Sequence, residues 1–355
     1  MISFYIITLL TLFILSLSEF IINKINKLLI YVLPVALLIL IGGLRYGISS
    51  DYFHYKEMFY HINEKANWSN FFVEYGYLWL NLMFSKISNS FEFFIFFFCL
   101  ISVSIKSNLI FKYCTYPFLG LILYFTFYFL LDDMGAIRRG FACAFVLAAF
   151  FASFNHKYIT ALLLLFIAIN VHLSAIFCLP FIFINKYRSS IKLFILFLLL
   201  SFLLGYLFNN YYDKLIALNS DLLIYQKFIA YFDDGFEFES SVYEIGLFLR
   251  IILVLILLKN KSLYSKIVFF EKMLNLYIIG ICVLIIFSKF TIFSSIVIYF
   301  KIFEIFLIPI LISKTSSKKR VYVVSFFFIY AIVSLYKLTN SPFSDFQVYN
   351  SILSI

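Results

Sequence analysis

Residues 193–208 read LFILFLLLSFLLGYLF, sixteen consecutive positions without a charged side chain. A helix that crosses the hydrocarbon core of a bilayer needs about 20 mostly apolar residues. Comparable runs recur along nearly the whole chain, so that 64% of its 355 residues are hydrophobic and only 13% are charged. Soluble domains carry about 25% charged residues. The sequence therefore predicts an integral membrane protein and excludes a soluble globular domain.

Twelve apolar runs predict twelve transmembrane helices in a single integral membrane domain over residues 1–355. Polar or charged residues separate most of the runs, and several runs are shorter than an ideal span. We therefore expect an all-α fold, a polytopic transmembrane helical bundle of about 12 spans. The runs fall at residues 2–20, 28–44, 91–111, 117–131, 137–154, 158–171, 173–185, 193–208, 243–258, 273–290, 292–312 and 321–337.

Basic segments indicate the orientation of these helices, because lysine and arginine are enriched in cytoplasmic loops. The same bias accounts for the net charge of +10, so we expect a membrane partner and no nucleic acid. Residues 209–242 are acidic and predict an external loop. The basic segments, all predicted to be cytoplasmic, are residues 23–27, 185–192, 259–272 and 314–320.

Residues 76–89 are only weakly apolar, and they are compatible with a surface helix, a re-entrant segment or a further span. If they do not cross the membrane, alternation of the spans places both termini outside and makes residues 45–90 an external loop. Residues 132–137 and the interruption at His172 then reach the same face. Charged residues from distant parts of the chain would converge there, whereas a span at 76–89 would partly break this convergence.

The first candidate site lies in residues 42–55, which read GGLRYGISSDYFHY. Arg45 follows an apolar run, and a guanidinium group can bind two phosphate oxygens at once. Asp51 could orient this arginine or accept a proton from a sugar hydroxyl, and Tyr52 and Tyr55 could stack against sugar or anchor the loop. The alternative is an arginine that extends to the interface from a helix end and pairs with Asp51. The residues alone leave both interpretations open.

The second candidate site lies in residues 132–141, DDMGAIRRGF. Arg138 and Arg139 begin an otherwise uncharged apolar helix, where charges are expensive and usually functional. The N–H groups of a helix N-terminus favour anions at the same place. The alternative is a structural cluster in which Asp132 and Asp133 neutralise the two arginines. We favour the anion site, because two adjacent arginines cannot both face lipid.

Two further candidates interrupt apolar sequence. His172 could act as a general base, as a phosphate contact or as a structural residue with a hydrogen-bond partner. Arg250 lies well inside the run 243–258 and is a candidate substrate-binding residue. Lys301 and Glu304 are spaced i, i+3 on a helix and could pair with each other.

Several chemical signatures are absent from the sequence. It contains no GxxxxGK[ST], HExxH, GxSxG or DxD-like motif. We therefore expect no cofactor and no metal site, and the energy for a reaction would come from the substrate itself or from a gradient. The four histidines, which are not spaced as metal ligands, are His54, His61, His156 and His172.

The motif LRYG at residues 44–47, followed by Asp51, Tyr52 and Tyr55, resembles the signature of the EpsG family. That family consists of polytopic proteins encoded in bacterial exopolysaccharide and O-antigen clusters, related in role to Wzy-type oligosaccharide polymerases. The resemblance covers residues 28 to 312. Further motifs agree in order, namely EYGY at 74–77, RRGFA at 138–142, HLSA at 172–175 and YF at 299–300 before Pro309.

The sequence departs from the family pattern at two places. The family usually carries an arginine before the Tyr-Phe pair, but residues 293–298 read FSSIVI. If that arginine binds substrate in relatives, its role is missing here or belongs to Lys301 or Arg250. The spacer at residues 48–50 is also slightly longer than the common form.

The resemblance implies a GT-C-like polymerase that joins oligosaccharide repeat units linked to undecaprenyl diphosphate, at the external face of the bacterial plasma membrane. Donor and acceptor would both be lipid-linked, the product would be O-antigen (part of lipopolysaccharide), capsule or exopolysaccharide, and a chain-length regulator and a flippase would be partners. The roles implied are catalytic for Asp51 and His172, and substrate-binding for Arg45, Tyr52, Tyr55, Arg138, Arg139 and Arg250.

Three other functions stay open at this stage. A flippase or other transporter for lipid-linked oligosaccharides would need a central polar cavity, preferably with repeat symmetry between its halves. A glycan-modifying membrane acyltransferase would need its polar groups to face the cytoplasm or a through-channel. A non-catalytic partner of a polysaccharide export complex would need neither a central polar cavity nor polar groups that face the cytoplasm.

Overall fold

The computed structural model of the chain is helical, and its described part contains no β-strand. Local sequence explains several helix ends. The Ser90 side chain caps the helix that follows it by accepting a hydrogen bond from the Phe93 N–H at 3.2 Å, and Pro117 opens another helix, where its missing N–H does no harm. The predicted all-α class is confirmed. The described residues are 3–19, 24–49, 51–63, 73–183, 189–216, 241–288, 294–340 and 349–352.

Fifteen α-helices are described, together with one π-helical and two 3₁₀ segments. The first eight are α1 (Ser3–Ser18), α2 (Lys24–Gly43), α3 (Tyr52–Asn63), α4 (Tyr75–Ile87), α5 (Phe91–Tyr113), α6 (Pro117–Tyr124), α7 (Ile137–Phe154) and α8 (Tyr158–Val171). The others are α9 (Ile191–Ile216), α10 (Ser241–Lys259), α11 (Lys261–Tyr264), α12 (Phe270–Ile286), α13 (Ser294–Lys301), α14 (Glu304–Ser313) and α15 (Ser317–Thr339).

Two compact units divide the chain. Unit 1 comprises Met1–Ile182 and Ile308–Ile355, and unit 2 comprises Phe183–Leu307. The single integral domain expected over residues 1–355 stays a prediction.

Six stretches of the described chain are long and apolar enough to cross a membrane, which supports the membrane class predicted from composition. Four shorter apolar helices accompany them, so the count of about 12 spans stays a prediction. The six are Phe91–Tyr113, Pro117–Gly135, Ile137–Phe154, Ile191–Phe208, Ser295–Ser313 and Arg320–Thr339, and the shorter ones are Phe4–Ser18, Lys27–Gly43, Tyr158–Val171 and Leu173–Phe183.

Most of the ambiguous residues 76–89 belong to helix α4 (Tyr75–Ile87), which has 13 residues. At 1.5 Å per residue α4 is about 20 Å long, whereas the hydrocarbon core is about 30 Å thick. Its length therefore favours a surface or re-entrant helix over a span. The predicted external loop at 209–242 lies mostly outside the described residues, as do residues 64–72 of the predicted loop 45–90 and residues 185–188 of one basic segment.

Two irregular segments shape the end of unit 1 that carries the candidate site. Helix α6 continues as the π-helix Phe125–Gly135, and π-helical turns occur frequently at functional sites. Helix α8 ends at Val171, and His172 adopts an extended backbone before the 3₁₀ segments Leu173–Cys178 and Pro180–Phe183. The interruption predicted at His172 is therefore confirmed.

Aromatic packing brings the ends of several helices in unit 1 together. Tyr52 and Phe91 join α3 to the start of α5, with ring centroids 5.4 Å apart. Phe98 and Phe141 join α5 to the start of α7 at 4.5 Å. Gly76 of α4 lies so close to the end of α8 that a Cβ atom there would be 2.6 Å from Asn170. The end of α2, helices α3 and α4, the starts of α5 and α7 and the end of α8 thus meet at one end of unit 1.

Candidate functional site

Arg138, in the first turn of α7, is held by three side chains from two other helices. Its Nη1 donates to Glu74 Oε2 at 2.8 Å. Its guanidinium also lies over the rings of Tyr55 and Tyr77, 5.9 and 5.4 Å from their centroids, in the geometry of a cation–π interaction. The side chain is 20% exposed, so a ligand can reach part of it.

Glu74 connects Arg138 to the interruption at His172. The residue occupies the N-cap position of α4 in extended conformation, and its Oε1 accepts a hydrogen bond from the Leu173 N–H at 3.1 Å. His172 immediately precedes Leu173 in the chain. Its ring Nδ1 lies 2.7 Å from Ser174 Oγ. We call Tyr55, Glu74, Tyr77, Arg138 and His172 the Arg138 cluster.

Helix α3 presents Tyr52 and Tyr55 one turn apart. Tyr55 is buried and interacts electrostatically with Arg138, Asp51 and Arg139. Burial, reinforced by the charge of Asp51, raises the pKa of Tyr55, with Arg138 acting in the opposite direction. Burial likewise raises the pKa of Tyr77. Both phenols are therefore neutral at physiological pH, so they can stack and donate hydrogen bonds but do not supply a base.

The two aspartates of the DDMGAIRRGF stretch have different partners. Asp132 accepts a hydrogen bond from Arg139 Nε at 2.7 Å, as expected for a structural cluster. Asp133 instead binds Lys106 of α5, whose Nζ lies 2.8 Å from each carboxylate oxygen. It also accepts hydrogen bonds from the hydroxyls of Ser102 and Tyr124. Asp132 thus neutralises one arginine, while Arg138 pairs with Glu74.

Arg45 is buried, with only 2% of its surface exposed. Its Nη1 donates to the Gly42 carbonyl oxygen, and its buried Nε has no hydrogen-bond partner among the described residues. The guanidinium interacts electrostatically with Tyr52 and Asp133. Arg45 therefore lies at the same end of unit 1 as Arg138 and Arg139, but on the buried side.

A C-terminal segment covers Arg45. The Tyr46 N–H donates to the Asn350 carbonyl at 3.0 Å, and the Ile352 N–H donates to the Leu44 carbonyl at 2.9 Å. Tyr349 donates to the Ile41 carbonyl at 3.0 Å and stacks on Phe4 with centroids 4.5 Å apart. Burial raises the pKa of Tyr349 to about 12, so its hydroxyl stays protonated and donates.

Replacing Tyr349 with alanine is expected to destabilise unit 1 by about 1–3 kcal/mol, since a ring stack and a hydrogen bond are lost together. Tyr349→Phe keeps the stack on Phe4 and should lose about 1 kcal/mol. Thermal unfolding of the purified protein in detergent measures both changes. Equal melting temperatures for wild type and Tyr349→Ala would contradict the contacts described for this segment.

Arg250 belongs to unit 2, where it has partners of its own. Its Nε donates to Glu304 Oε2 at 3.1 Å, and the Tyr277 hydroxyl donates to the same oxygen at 3.2 Å. Glu304 thus bonds to side chains of two other helices, and the expected pairing of Lys301 with Glu304 stays a prediction. The role of Arg250 in substrate binding stays a prediction.

Sequence reasoning missed Glu74, Tyr77 and Lys106 as members of this end of unit 1. Glu74 and Tyr77 stood in the EYGY motif, but nothing local indicated that the carboxylate reaches Arg138, 64 positions away. Lys106 was a charge inside an apolar run, the signal that usually marks a buried partner. The roles predicted for Asp51, Tyr52, Tyr55 and His172 stay predictions, although α3 and the Arg138 cluster bring these residues to one end of unit 1.

Comparison with known proteins agrees with the motifs. Residues 28–351, nearly the whole chain, match the EpsG family. No curated protein and no solved structure shows a significant match. The match extends past residue 312 and includes Tyr349 and Asn350 of the segment that covers Arg45. The chain therefore belongs to the EpsG family, whose members are polymerase-like proteins of the Wzy type.

Proposed function

We propose that this protein is a glycosyltransferase that polymerises oligosaccharide repeat units carried on undecaprenyl diphosphate, at the external face of the bacterial plasma membrane. The observation that carries the proposal is the Arg138 cluster. It combines a partly exposed guanidinium, two aromatic rings, a carboxylate and a histidine at one end of unit 1. Membership in the EpsG family supports the same class of reaction. The expected span count of about 12 and the GT-C-like architecture are part of this proposal.

Arg138 and Arg139 are the cations best placed to meet a diphosphate. Their side chains are 20% and 22% exposed, whereas Arg45 is buried. In a site of low dielectric constant, positive charge directed at a leaving group stabilises the transition state strongly. We assign the direct contacts with the diphosphate to Arg138 and Arg139. Arg45, which is buried, would contribute only to the electrostatic field at the site.

The reaction is a displacement at the anomeric carbon of the donor. The acceptor hydroxyl of one lipid-linked repeat attacks this carbon, the bond between the carbon and the diphosphate oxygen breaks, and undecaprenyl diphosphate leaves with the electron pair. The hydroxyl proton passes to a general base. We assign this role to Nε2 of His172, with Nδ1–H donating to Ser174, and we keep Asp51 as the second candidate. The rings of Tyr52, Tyr55 and Tyr77 are buried, so we propose that they support the site from within rather than bind sugar directly.

Deletion of the gene and complementation test this function. A polymerase mutant should still carry surface glycan, but only as single repeat units, and the wild-type gene should restore the polymer ladder. Complete loss of surface glycan would instead indicate a flippase. Purified protein should also lengthen lipid-linked repeats in nanodiscs without added nucleotide. Failure to do so, together with a normal ladder in the deletion strain, would refute the proposal.

A further inference from the structure

We infer that Glu74 is a positioning residue that holds Arg138 and the turn after His172 in one fixed arrangement. This inference rests on the proposed function and deepens it. Glu74 would not itself touch the substrate. Its two carboxylate oxygens would set the direction of the guanidinium on one side and of the histidine on the other.

The two oxygens of Glu74 are used separately. Oε2 accepts from Arg138 Nη1 at 2.8 Å, and Oε1 accepts from the Leu173 N–H at 3.1 Å. The first N–H groups of a helical segment lack partners within the segment, so a carboxylate that accepts from one fixes the start of that segment. Because His172 immediately precedes Leu173, the bond also fixes the backbone that carries the imidazole.

The orientation of the Arg138 guanidinium is constrained as well. Its guanidinium lies over Tyr55 and Tyr77, and its Nε is buried without a hydrogen-bond partner among the described residues. With one Nη1 bond directed to Glu74, the planar group cannot rotate freely. The remaining N–H bonds then keep a defined direction, which two-point binding of phosphate oxygens requires.

Close packing of α4 on α8 allows the Glu74 carboxylate to reach both Arg138 and the Leu173 N–H. A Cβ atom on Gly76 would lie 2.6 Å from both Cβ and the carbonyl oxygen of Asn170. Any larger residue at position 76 would push α4 away from the end of α8, and with it Glu74 from Leu173. The small residue two positions after Glu74 is therefore a second, independent feature that brings the carboxylate to the turn.

Three substitutions at Glu74 weaken the two contacts to different extents. Glu74→Gln retains a single acceptor oxygen, so it can keep one of the two bonds but not both, and it removes the charge. Glu74→Asp keeps the charge on a shorter side chain, and Glu74→Ala removes both bonds. Displacement of catalytic groups by about 1 Å can lower a rate 10²-fold, so a large effect is expected without loss of the fold.

Glu92→Gln is the matched control, because it removes a carboxylate at the same end of unit 1. Glu92 pairs with Lys56 at 2.9 Å and receives a hydrogen bond from Ser90. Neither of these partners belongs to the Arg138 cluster. A general effect of losing negative charge at this end would appear equally in both variants.

The experiment measures polymerisation by purified protein in nanodiscs, with lipid-diphosphate-linked repeats as substrate, and records kcat and the donor KM as functions of pH. We expect Glu74→Gln to lower kcat about 10- to 100-fold and to raise the donor KM, with a changed pH profile and a melting temperature close to that of Glu92→Gln. Glu74→Asp should recover part of the loss. Kinetics within twofold of Glu92→Gln, or a loss explained entirely by less folded protein, would overturn the inference.

A second readout does not depend on activity. Diethylpyrocarbonate modifies accessible imidazole groups, and mass spectrometry can follow the rate at His172. We expect at least a threefold change of this rate in Glu74→Gln relative to Glu92→Gln, and no change would overturn the inference. If wild type transfers no sugar, the proposed function fails, while the modification rate still decides whether Glu74 positions His172.

Discussion

Arg138→Ala is expected to abolish the polymer ladder while the amount of membrane-inserted protein stays near the wild-type level. The substitution removes the guanidinium that lies over Tyr55 and Tyr77 and pairs with Glu74. Loss of a single preorganised group that stabilises a leaving anion lowers kcat by about 10²–10³. The assay is complementation of the deletion strain, scored by the glycan ladder and by immunoblot of the membrane fraction.

Arg138→Lys shows whether charge or geometry matters at position 138, and a variant at another arginine serves as its control. Arg138→Lys keeps the positive charge but loses the planar fork, so it should restore only a short or faint ladder. Arg320→Ala is the control for arginine loss in unit 1. Arg320 hydrogen-bonds to Thr315 and Ser313 and lies over Tyr116, at the opposite end of the continuous helix Pro117–Gly135 from Asp132. A full ladder in Arg138→Ala would remove Arg138 from the mechanism.

Lys106→Met is expected to produce the largest loss of stability in unit 1. Lys106 and Asp133 are both buried and form an ion pair through two contacts of 2.8 Å. Removing one member of a buried pair leaves an uncompensated charge, which destabilises a protein by about 3–5 kcal/mol. Thermal unfolding in detergent, together with yield from membranes, measures the effect.

A double variant tests whether the charge or the packing is responsible. Replacing both members of a buried pair is often far less harmful than replacing one, so Lys106→Met with Asp133→Asn should recover much of the lost stability. Lys112→Met is the control, because Lys112 is an exposed residue near the end of the same helix, and it should unfold like wild type. If Lys106→Met were as stable as Lys112→Met, the buried pair would have no structural role.

Much of the fold follows from local sequence. Long uncharged runs such as residues 193–208 coincide with helices, because the apolar composition and the length required to cross lipid are properties of one segment. The interruption at His172 was equally visible, since a polar residue breaks the apolar pattern there. The π-helix Phe125–Gly135 was not, because its apolar residues read like those of an α-helix.

The candidate site was only partly predictable, and the distance along the chain explains why. Arg138 and Arg139 were recognisable from the sequence as charged residues at the start of an apolar helix. Their partners did not, since Glu74 lies 64 positions before Arg138 and only packing of α4 against α8 brings it near. The segment that lies beside Arg45 is held by Tyr349, whose hydrogen-bond partner Ile41 lies 308 positions away. Contacts of such separation are products of tertiary packing and leave no mark on local sequence.

The proposed function requires Arg138 to bind the diphosphate of a lipid-linked donor. The most direct measurement is a titration of purified protein with undecaprenyl diphosphate and with undecaprenyl monophosphate, followed by native mass spectrometry, for wild type, Arg138→Gln and Arg320→Ala. We expect wild type and Arg320→Ala to prefer the diphosphate, and Arg138→Gln to bind it at least tenfold more weakly. Equal diphosphate binding by all three proteins would show that Arg138 does not bind this group.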